Sequence, residues 1–282
     1  MRILSSAVPA TMFVFVVSSM LAVGLSLTVG QISVPLRNGK LVALALLGNF
    51  VLMPLGALVV ARLLWLDESL RVALVLLSTA AGAPFLPKLA GIAKGNLAFA
   101  VGLMVLLMVL TVGYMPLVLP LLLKGVAVDP TKIARSLVVL MLLPLALGLG
   151  VKARYAPAAA RMRPFLDRVS SLSLAFLTIL ILVVNINNLV ALFGTRGVLA
   201  SILFLCVGVS IGWFLGGPKP DTRGVMALGT AQRNIAAALV VGGQNFDDPK
   251  VVVMVVVVAI VGLLVLFPFV RALAVRSEAR AR

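Results

Sequence analysis

Long runs of apolar residues, separated by short polar or charged stretches, make up most of the sequence. Most of these runs have at least the roughly 20 residues that a helix needs to cross a bilayer. They contain Leu, Val and Ala in blocks, without the alternation of apolar and polar residues that a membrane β-barrel requires. The pattern predicts nine transmembrane helices, over residues 8–29, 40–64, 70–93, 96–123, 134–152, 165–187, 197–216, 223–244 and 249–275.

The composition agrees with a membrane protein. Hydrophobic residues make up 62% of the 282 positions and charged residues 11%, whereas a soluble domain is about 45–50% apolar. The N-terminus, with a basic start, an apolar core and small residues, also has the form of a secretory signal peptide. We favour a first membrane span because the apolar stretch continues to Val29. We therefore expect an all-α polytopic membrane protein with one transmembrane domain over residues 1–282.

The basic residues predict the orientation of the chain. An odd number of spans places the two termini on opposite faces. One face would carry 14 of the 24 basic residues: Arg37, Lys40, Lys94, Lys152, Arg154, Arg161, Arg163, Arg168, Lys219, Arg223, Arg271, Arg276, Arg280 and Arg282. The other would carry eight: Arg2, Arg62, Arg71, Lys124, Lys132, Arg135, Arg196 and Lys250. Because basic loops stay in the cytoplasm, we expect an inner-membrane protein with its N-terminus outside and its C-terminus cytoplasmic.

Several kinds of chemistry are absent from the sequence. There is no histidine, and the one cysteine, Cys206, lies within an apolar run. Internal disulfides, His-based catalysis and His metal sites are therefore excluded. The net charge of +16 is spread over many short loops, which argues against nucleic acid as a partner. We expect neither an enzyme nor a cofactor or metal site, and no channel filter is visible.

Two basic residues, Lys88 and Arg233, lie inside predicted spans, and all eight carboxylates lie in loops, at span ends or in the C-terminal tail. An ionisable residue inside a membrane is costly, so it indicates a functional site by default. Small residues and prolines interrupt the same two spans. The predicted helix breaks are Gly82, Pro84 and Pro87 in the third segment and Gly229 in the eighth.

The two interrupted spans cross the membrane in opposite directions because they lie five spans apart. A pair of broken spans in matching positions of two halves is typical of an inverted-repeat transporter, with its binding site at the breaks. Simpler interpretations remain open. Lys88 can extend to the headgroups, Arg233 can donate to free carbonyls of a broken helix, and the prolines can be simple kinks.

Four stretches are similar to motifs of the bile acid:sodium symporter family. They are residues 21–28 (LAVGLSLT), 49–54 (NFVLMP), 93–96 (AKGN) and 235–239 (IAAAL). The resemblance implies a panel domain and a core domain related by inverted repeats, with two discontinuous helices crossing in the core. It places the panel spans at about 8–64 and 134–187, and the core spans at about 70–123 and 197–275. It also implies an external N-terminus for a nine-span member.

The sequence departs from the family at the sodium ligands. The family's serine, asparagine and two hydroxyl ligands fall here on Leu86, Pro87, Ala100 and Met104. Its glutamate falls on Ala227 or Gly229, and its glutamine on Ala231 or Arg233, depending on the register. Asn49 takes the place of another sodium-site glutamine and keeps an amide oxygen. Because sodium needs several oxygen ligands, we expect degenerate sodium sites.

These features predict a secondary transporter of a small organic anion, working by alternating access without sodium coupling. Lys88 and Arg233 would be fixed cations at the helix crossing, and Gln232, Asn234 and Asn49 would orient substrate or satisfy unwound backbone. Proton coupling through Lys88, uniport and anion exchange remain open. The alternatives are a non-transporting structural or sensory membrane protein, or a sodium symporter with backbone ligands. The expected partners are the anion and the lipid bilayer, and we expect a monomer.

Overall fold

The computed structural model describes residues 2–28, 30–31, 38–124, 126, 128–187 and 196–281. All regular structure in these residues is helical, and none of them forms a strand. Val29, the predicted end of the first segment, lies outside the described residues. So do Arg37 and Arg282, which contribute to the charge count.

The helices follow the predicted segments closely. They are α1 (Arg2–Ser26), α2 (Gly39–Leu63), α3 (Glu68–Thr79), α4 (Leu86–Ile92), α5 (Leu97–Leu122), α6 (Pro130–Arg154), α7 (Ala156–Val184), α8 (Gly197–Leu215), α9 (Pro220–Ala231), α10 (Ile235–Asn245) and α11 (Pro249–Ala281). Eight helices in the described part of the chain are long and apolar enough to cross a membrane, counting α9 and α10 as one. The segment predicted over 70–93 consists of the two shorter helices α3 and α4, so the count of nine spans stays a prediction.

Two of the long helices contain a π-helical turn, and each turn ends two residues before a proline. In α2 the turn covers Gly48–Leu52 and Pro54 follows; in α6 it covers Val138–Leu142 and Pro144 follows. Proline has no backbone N–H and its ring crowds the preceding turn. A widened turn accommodates the ring and leaves a carbonyl without its usual donor. The freed carbonyl of α2 becomes part of the site described below.

The long helices pack as two groups. α1 lies along α6 and α7, while α8, α9 and α11 pack with one another and α3 packs against α11. Within the second group, α8 and α9 approach most closely at Gly208 and Gly212. A methyl group on Gly212 would lie 2.4 Å from the Met226 carbonyl oxygen. Small residues allow membrane helices this close contact, which compensates for the absence of a hydrophobic drive between helices in lipid.

α2 packs against α3 and α8. The connection from α2 to α3 is short, and short connections make consecutive helices antiparallel neighbours. The predicted division places residues 40–64 with the panel and the other two helices with the core. This division into panel and core stays a prediction.

Candidate functional site

The first helix break separates α3 from α4. α3 ends at Thr79, and the chain runs without regular structure until α4 begins at Leu86. Gly82 has a φ of +80°, and an added Cβ would lie 2.2 Å from the Met108 backbone nitrogen. Only glycine fits both the left-handed backbone and this contact. Gly82 thus holds the break against α5.

The two prolines of the first break have different positions. Pro84 lies in the turn that leads into α4. Pro87 lies in the first turn of α4, where its missing N–H is not needed. Pro87 therefore starts the second half of the interrupted helix and does not break it.

The second break lies at Gln232–Asn234, three residues after the predicted position. α9 continues to Ala231, and Gly229 is a buried residue of this helix whose Cα faces Leu86 of α4. The prediction of a break at Gly229 is therefore wrong. A glycine at this point serves close packing between helices. The backbone turns extended at Gln232, where φ is −79° and ψ is 125°.

Asn234 joins the two breaks. Its backbone N–H donates to the Ala80 carbonyl oxygen at 2.8 Å, and its Nδ2 donates to the Gly82 carbonyl oxygen at 3.2 Å. Its Oδ1 accepts from the Ala237 N–H at 3.1 Å and so caps α10. Thr111 of α5 holds Ala81 in the same way, accepting from its N–H and donating to its carbonyl oxygen. These bonds satisfy unwound backbone within the protein, as an apolar interior requires.

Arg233 is the buried cation of the site, with only 3% of its surface exposed. Its Nε donates to the Leu77 carbonyl oxygen at 2.9 Å, and its Nη2 donates to the Ser78 carbonyl oxygen. Its Nη1 donates to the Thr230 carbonyl oxygen at 3.1 Å and to Asn49 Oδ1 at 2.8 Å. We call these five residues the Arg233 cluster. All four acceptors are neutral oxygens.

The backbone acceptors of the cluster lie at two helix ends. Leu77 and Ser78 are in the last turn of α3, and Thr230 is in the last turn of α9. The C-terminus of a helix carries partial negative charge and unsatisfied carbonyls. No carboxylate of the described residues lies within 4.0 Å of Arg233. The guanidinium is therefore balanced by two helix ends and an amide.

Asn49 connects α2 to the cluster. It is fully buried in the π-helical turn, and its Nδ2 donates to the Ala45 carbonyl oxygen at 3.0 Å and to Thr230 Oγ1 at 3.3 Å. Both donors and the oxygen of the amide are in use, because Oδ1 accepts from Arg233. This arrangement satisfies a buried amide fully, which an apolar interior demands.

Tyr114 of α5 supports the same turn of α2. Its hydroxyl donates to the Phe50 carbonyl oxygen, and its ring lies 4.6 Å from that of Phe50 between centroids. Phe50 is the residue four before Pro54, so its carbonyl lacks the helical donor that proline removes. Sequence reasoning missed Tyr114, although the NFVLMP stretch marks the free carbonyl that needs a partner.

Removing the Tyr114 hydroxyl tests this arrangement. Tyr114→Phe keeps the ring contact but leaves the Phe50 carbonyl without a donor, so we expect a loss of stability of about 1–3 kcal/mol. The thermal midpoint of the purified protein measures this loss. Tyr155→Phe is the matched control, because Tyr155 is 60% exposed at the end of α6. Equal midpoints for the two variants would contradict the role given to the hydroxyl.

The structure does not bring the two remaining predicted residues into the Arg233 cluster. Lys88 is exposed on α4, with its Nζ 5.1 Å from the centroid of the Phe85 ring. Lys88 therefore does not share the buried surroundings of Arg233, and its role as a second cation at the helix crossing stays a prediction. Gln232 is half-buried, and its Oε1 is a buried acceptor without a hydrogen-bond partner in the described part of the chain.

The arrangement limits what Arg233 does. At least one N–H of each guanidinium nitrogen is bonded to protein, and the group is closed off from solvent. Arg233 is thus a structural charge that ties α3, α9 and α2 together, and its fork of donors suits such a multidentate role. A direct contact with substrate would require these bonds to break.

Comparison with models of protein families gives a match. A model of the family described as the sodium bile acid symporter family matches residues 12–192, which is more than half of the chain. A search of curated proteins finds no match. The matched range contains Asn49, the first break and Tyr114, and it ends before the second break.

Proposed function

The chain belongs to the sodium bile acid symporter family and is a membrane transporter of that type, and we propose that it moves a small organic anion without sodium. In this proposal Arg233 takes the place of a bound cation. The observation that carries it is the set of four neutral oxygens around the guanidinium, from Leu77, Ser78, Thr230 and Asn49. Several neutral oxygens around one positive charge are also what a hard metal cation needs.

The same contacts argue against a sodium symporter with backbone ligands. Such a site would need free carbonyls at the broken helices, and the carbonyls of Leu77, Ser78 and Thr230 accept from Arg233. A sodium ion beside a fixed guanidinium would also meet like-charge repulsion in a medium of low dielectric constant. The tethered charge therefore makes sodium unnecessary for holding the broken helices and unfavourable as a ligand.

An anion would be attracted to the exposed side of the first break. Lys88 is the third residue of α4 and supplies a positive charge next to this break. Because Lys88 is exposed, it is free to contact a carboxylate or sulfonate in a cavity between the panel and core domains. At the second break, Gln232 adds an amide oxygen that has no partner among the described residues, which suits a hydroxyl or amide group of the same substrate.

The rest of the proposal concerns transport by alternating access. We propose nine spans, with α3–α4 and α9–α10 crossing as discontinuous helices, the N-terminus outside and the C-terminus cytoplasmic in an inner membrane. Contacts between the two helix groups would change as one group moves against the other. One of them joins α6 to α10 through the Ser136 hydroxyl, which donates to Gln244 Oε1. A contact of this kind must break when the groups separate.

A screen of organic anions by thermal shift, in sodium chloride and in choline chloride, tests the proposed function. We expect at least one carboxylate or sulfonate to raise the thermal midpoint equally in both salts, and its uptake into reconstituted vesicles to persist without sodium. Lys88→Gln is expected to weaken the anion effect and to leave the midpoint without ligand unchanged, because Lys88 is exposed. An anion effect and uptake that both require sodium would contradict the proposal.

A further inference from the structure

One face of α7 is exposed along its whole length. Its residues follow at intervals of three or four, which places them on a single helical face. They are Arg161, Phe165, Arg168, Leu172, Phe176, Ile179 and Val183. The five apolar members are between 48% and 71% exposed. We call this face the α7 stripe. It begins with two arginines and continues as an apolar surface.

A shallow groove of about 360 Å³ lies beside the apolar part of the stripe, between α1 and α7. It is lined by Ala10, Thr11, Val14, Leu172, Ser173 and Phe176. The groove is apolar apart from two hydroxyls, and the Thr11 hydroxyl already donates to the Ala7 carbonyl oxygen. Such a surface accepts a hydrocarbon chain and offers nothing to a charged ligand.

The two arginines of the stripe are free to bind an anion. No carboxylate of the described residues lies within 4.0 Å of Arg161 or Arg168, whereas Arg163, on another face of α7, pairs with Asp167 at 3.5 Å. Lys152 and Arg154, at the end of α6, add positive charge at the same end of the helix. Basic residues next to a membrane helix attract anionic lipid headgroups.

The length of α7 places the arginines at the level of the headgroups. A helix of 29 residues is about 43 Å long, which exceeds the roughly 30 Å of the hydrocarbon layer. The apolar part of the stripe from Leu172 to Val183 extends about 17 Å along the axis and lies within the hydrocarbon. The basic part extends toward the interface, which long arginine side chains reach. Arg168 lies about 6 Å along the axis from Leu172 at the groove. One lipid can therefore place its headgroup phosphate at Arg168 and an acyl chain in the groove.

We propose that the α7 stripe and the adjoining groove form a binding site for a phospholipid with an anionic headgroup. Arg161 and Arg168 hold the phosphate, and one acyl chain lies in the groove against Leu172 and Phe176. Phe165, which is 67% exposed, lies between the two arginines on the same helical face and adds apolar surface next to them. The site is separate from the Arg233 cluster and does not depend on sodium or on the transported anion.

Native mass spectrometry tests the site with two lipids of identical chains, dioleoyl phosphatidylglycerol and dioleoyl phosphatidylcholine, offered together to the purified protein. We expect the wild type to retain the phosphatidylglycerol preferentially, and Arg161→Gln/Arg168→Gln to retain about tenfold less of it. Ser173→Trp fills the groove without changing charge and is expected to lower retention as well. Arg271→Gln/Arg276→Gln, which removes two exposed charges from α11, is the matched control.

The outcomes separate this site from a general attraction of basic loops. Equal losses in the α7 and α11 variants would overturn the proposal, since any two charges would then suffice. Equal retention of the two lipids by the wild type would overturn it too. A dimer that Ser173→Trp dissociates would show a second copy on the stripe and would likewise overturn it. None of these readouts measures transport, so the proposed function fails or stands independently.

Discussion

Arg233→Ala is expected to lower the stability of the protein by about 2–5 kcal/mol. The substitution removes a donor from four buried oxygens: the carbonyls of Leu77, Ser78 and Thr230, and Asn49 Oδ1. The Leu77 carbonyl keeps a bond from the Ala80 N–H at 3.1 Å. Relief of the buried charge offsets part of this loss, because a desolvated cation is itself unfavourable. The thermal midpoint in detergent should fall by about 5 °C or more.

Two further variants separate the charge from the shape of the side chain. Arg233→Met fills the space without charge or donors and is expected to be as destabilising as alanine. Arg233→Lys keeps the charge, but an ammonium cannot match a planar fork that bridges α2, α3 and α9, so we expect an intermediate midpoint. A methionine variant as stable as the wild type would reduce Arg233 to a packing residue.

Gly82→Ala is expected to cost about 3 kcal/mol or more. The φ of +80° is strained for alanine, and the new methyl group would lie 2.2 Å from the Met108 backbone nitrogen. The contact is with backbone, so no side chain can rotate away and either the break or α5 must shift. A shift of the break would weaken the hydrogen bonds from Thr111 and Asn234 that hold it in place. The measured quantity is the thermal midpoint.

Gly91→Ala is the matched control for Gly82→Ala. Gly91 lies near the end of α4, the helix that follows the same break, and nothing lies within 4 Å of an added Cβ. Alanine also favours the helix over glycine, so this variant should be neutral or slightly more stable. Similar losses of thermal stability in the two variants would contradict the account given for Gly82. They would show that an added methyl group is destabilising here whether or not it contacts the backbone of α5.

Most of the helices could be predicted from the sequence because each is a long apolar run between polar stretches. The first break was also visible, since Gly82 and Pro84 are strong local signals. The second was placed three residues early, at Gly229 and not at Gln232, because a glycine in a membrane helix serves close packing as often as a break. In α9 it packs against Leu86 of α4.

The chemistry of the site was only partly visible. Arg233 and Asn49 are rare polar residues in apolar runs, and the structure brings them together at 2.8 Å. The sequence cannot show that the other partners of Arg233 are backbone carbonyls, because every residue has one. Nor could it show that Lys88 faces outward, since seven residues of α4 do not define which face is buried.

The central claim is that the guanidinium of Arg233 occupies the place of a cation at the ends of α3 and α9. If so, removing it exposes a set of oxygens from Leu77, Ser78, Thr230 and Asn49 that a hard cation can use. Arg233→Gln is the most informative variant, because it removes the charge and adds one more amide oxygen. The claim thus predicts that this substitution creates sodium dependence.

Titration of sodium chloride against choline chloride, at constant ionic strength, measures this most directly. The thermal midpoint of the wild type is predicted to stay flat, and that of Arg233→Gln to start lower and rise with sodium to a plateau. A wild type that sodium stabilises to saturation, beside an Arg233→Gln variant that does not respond, would contradict the account.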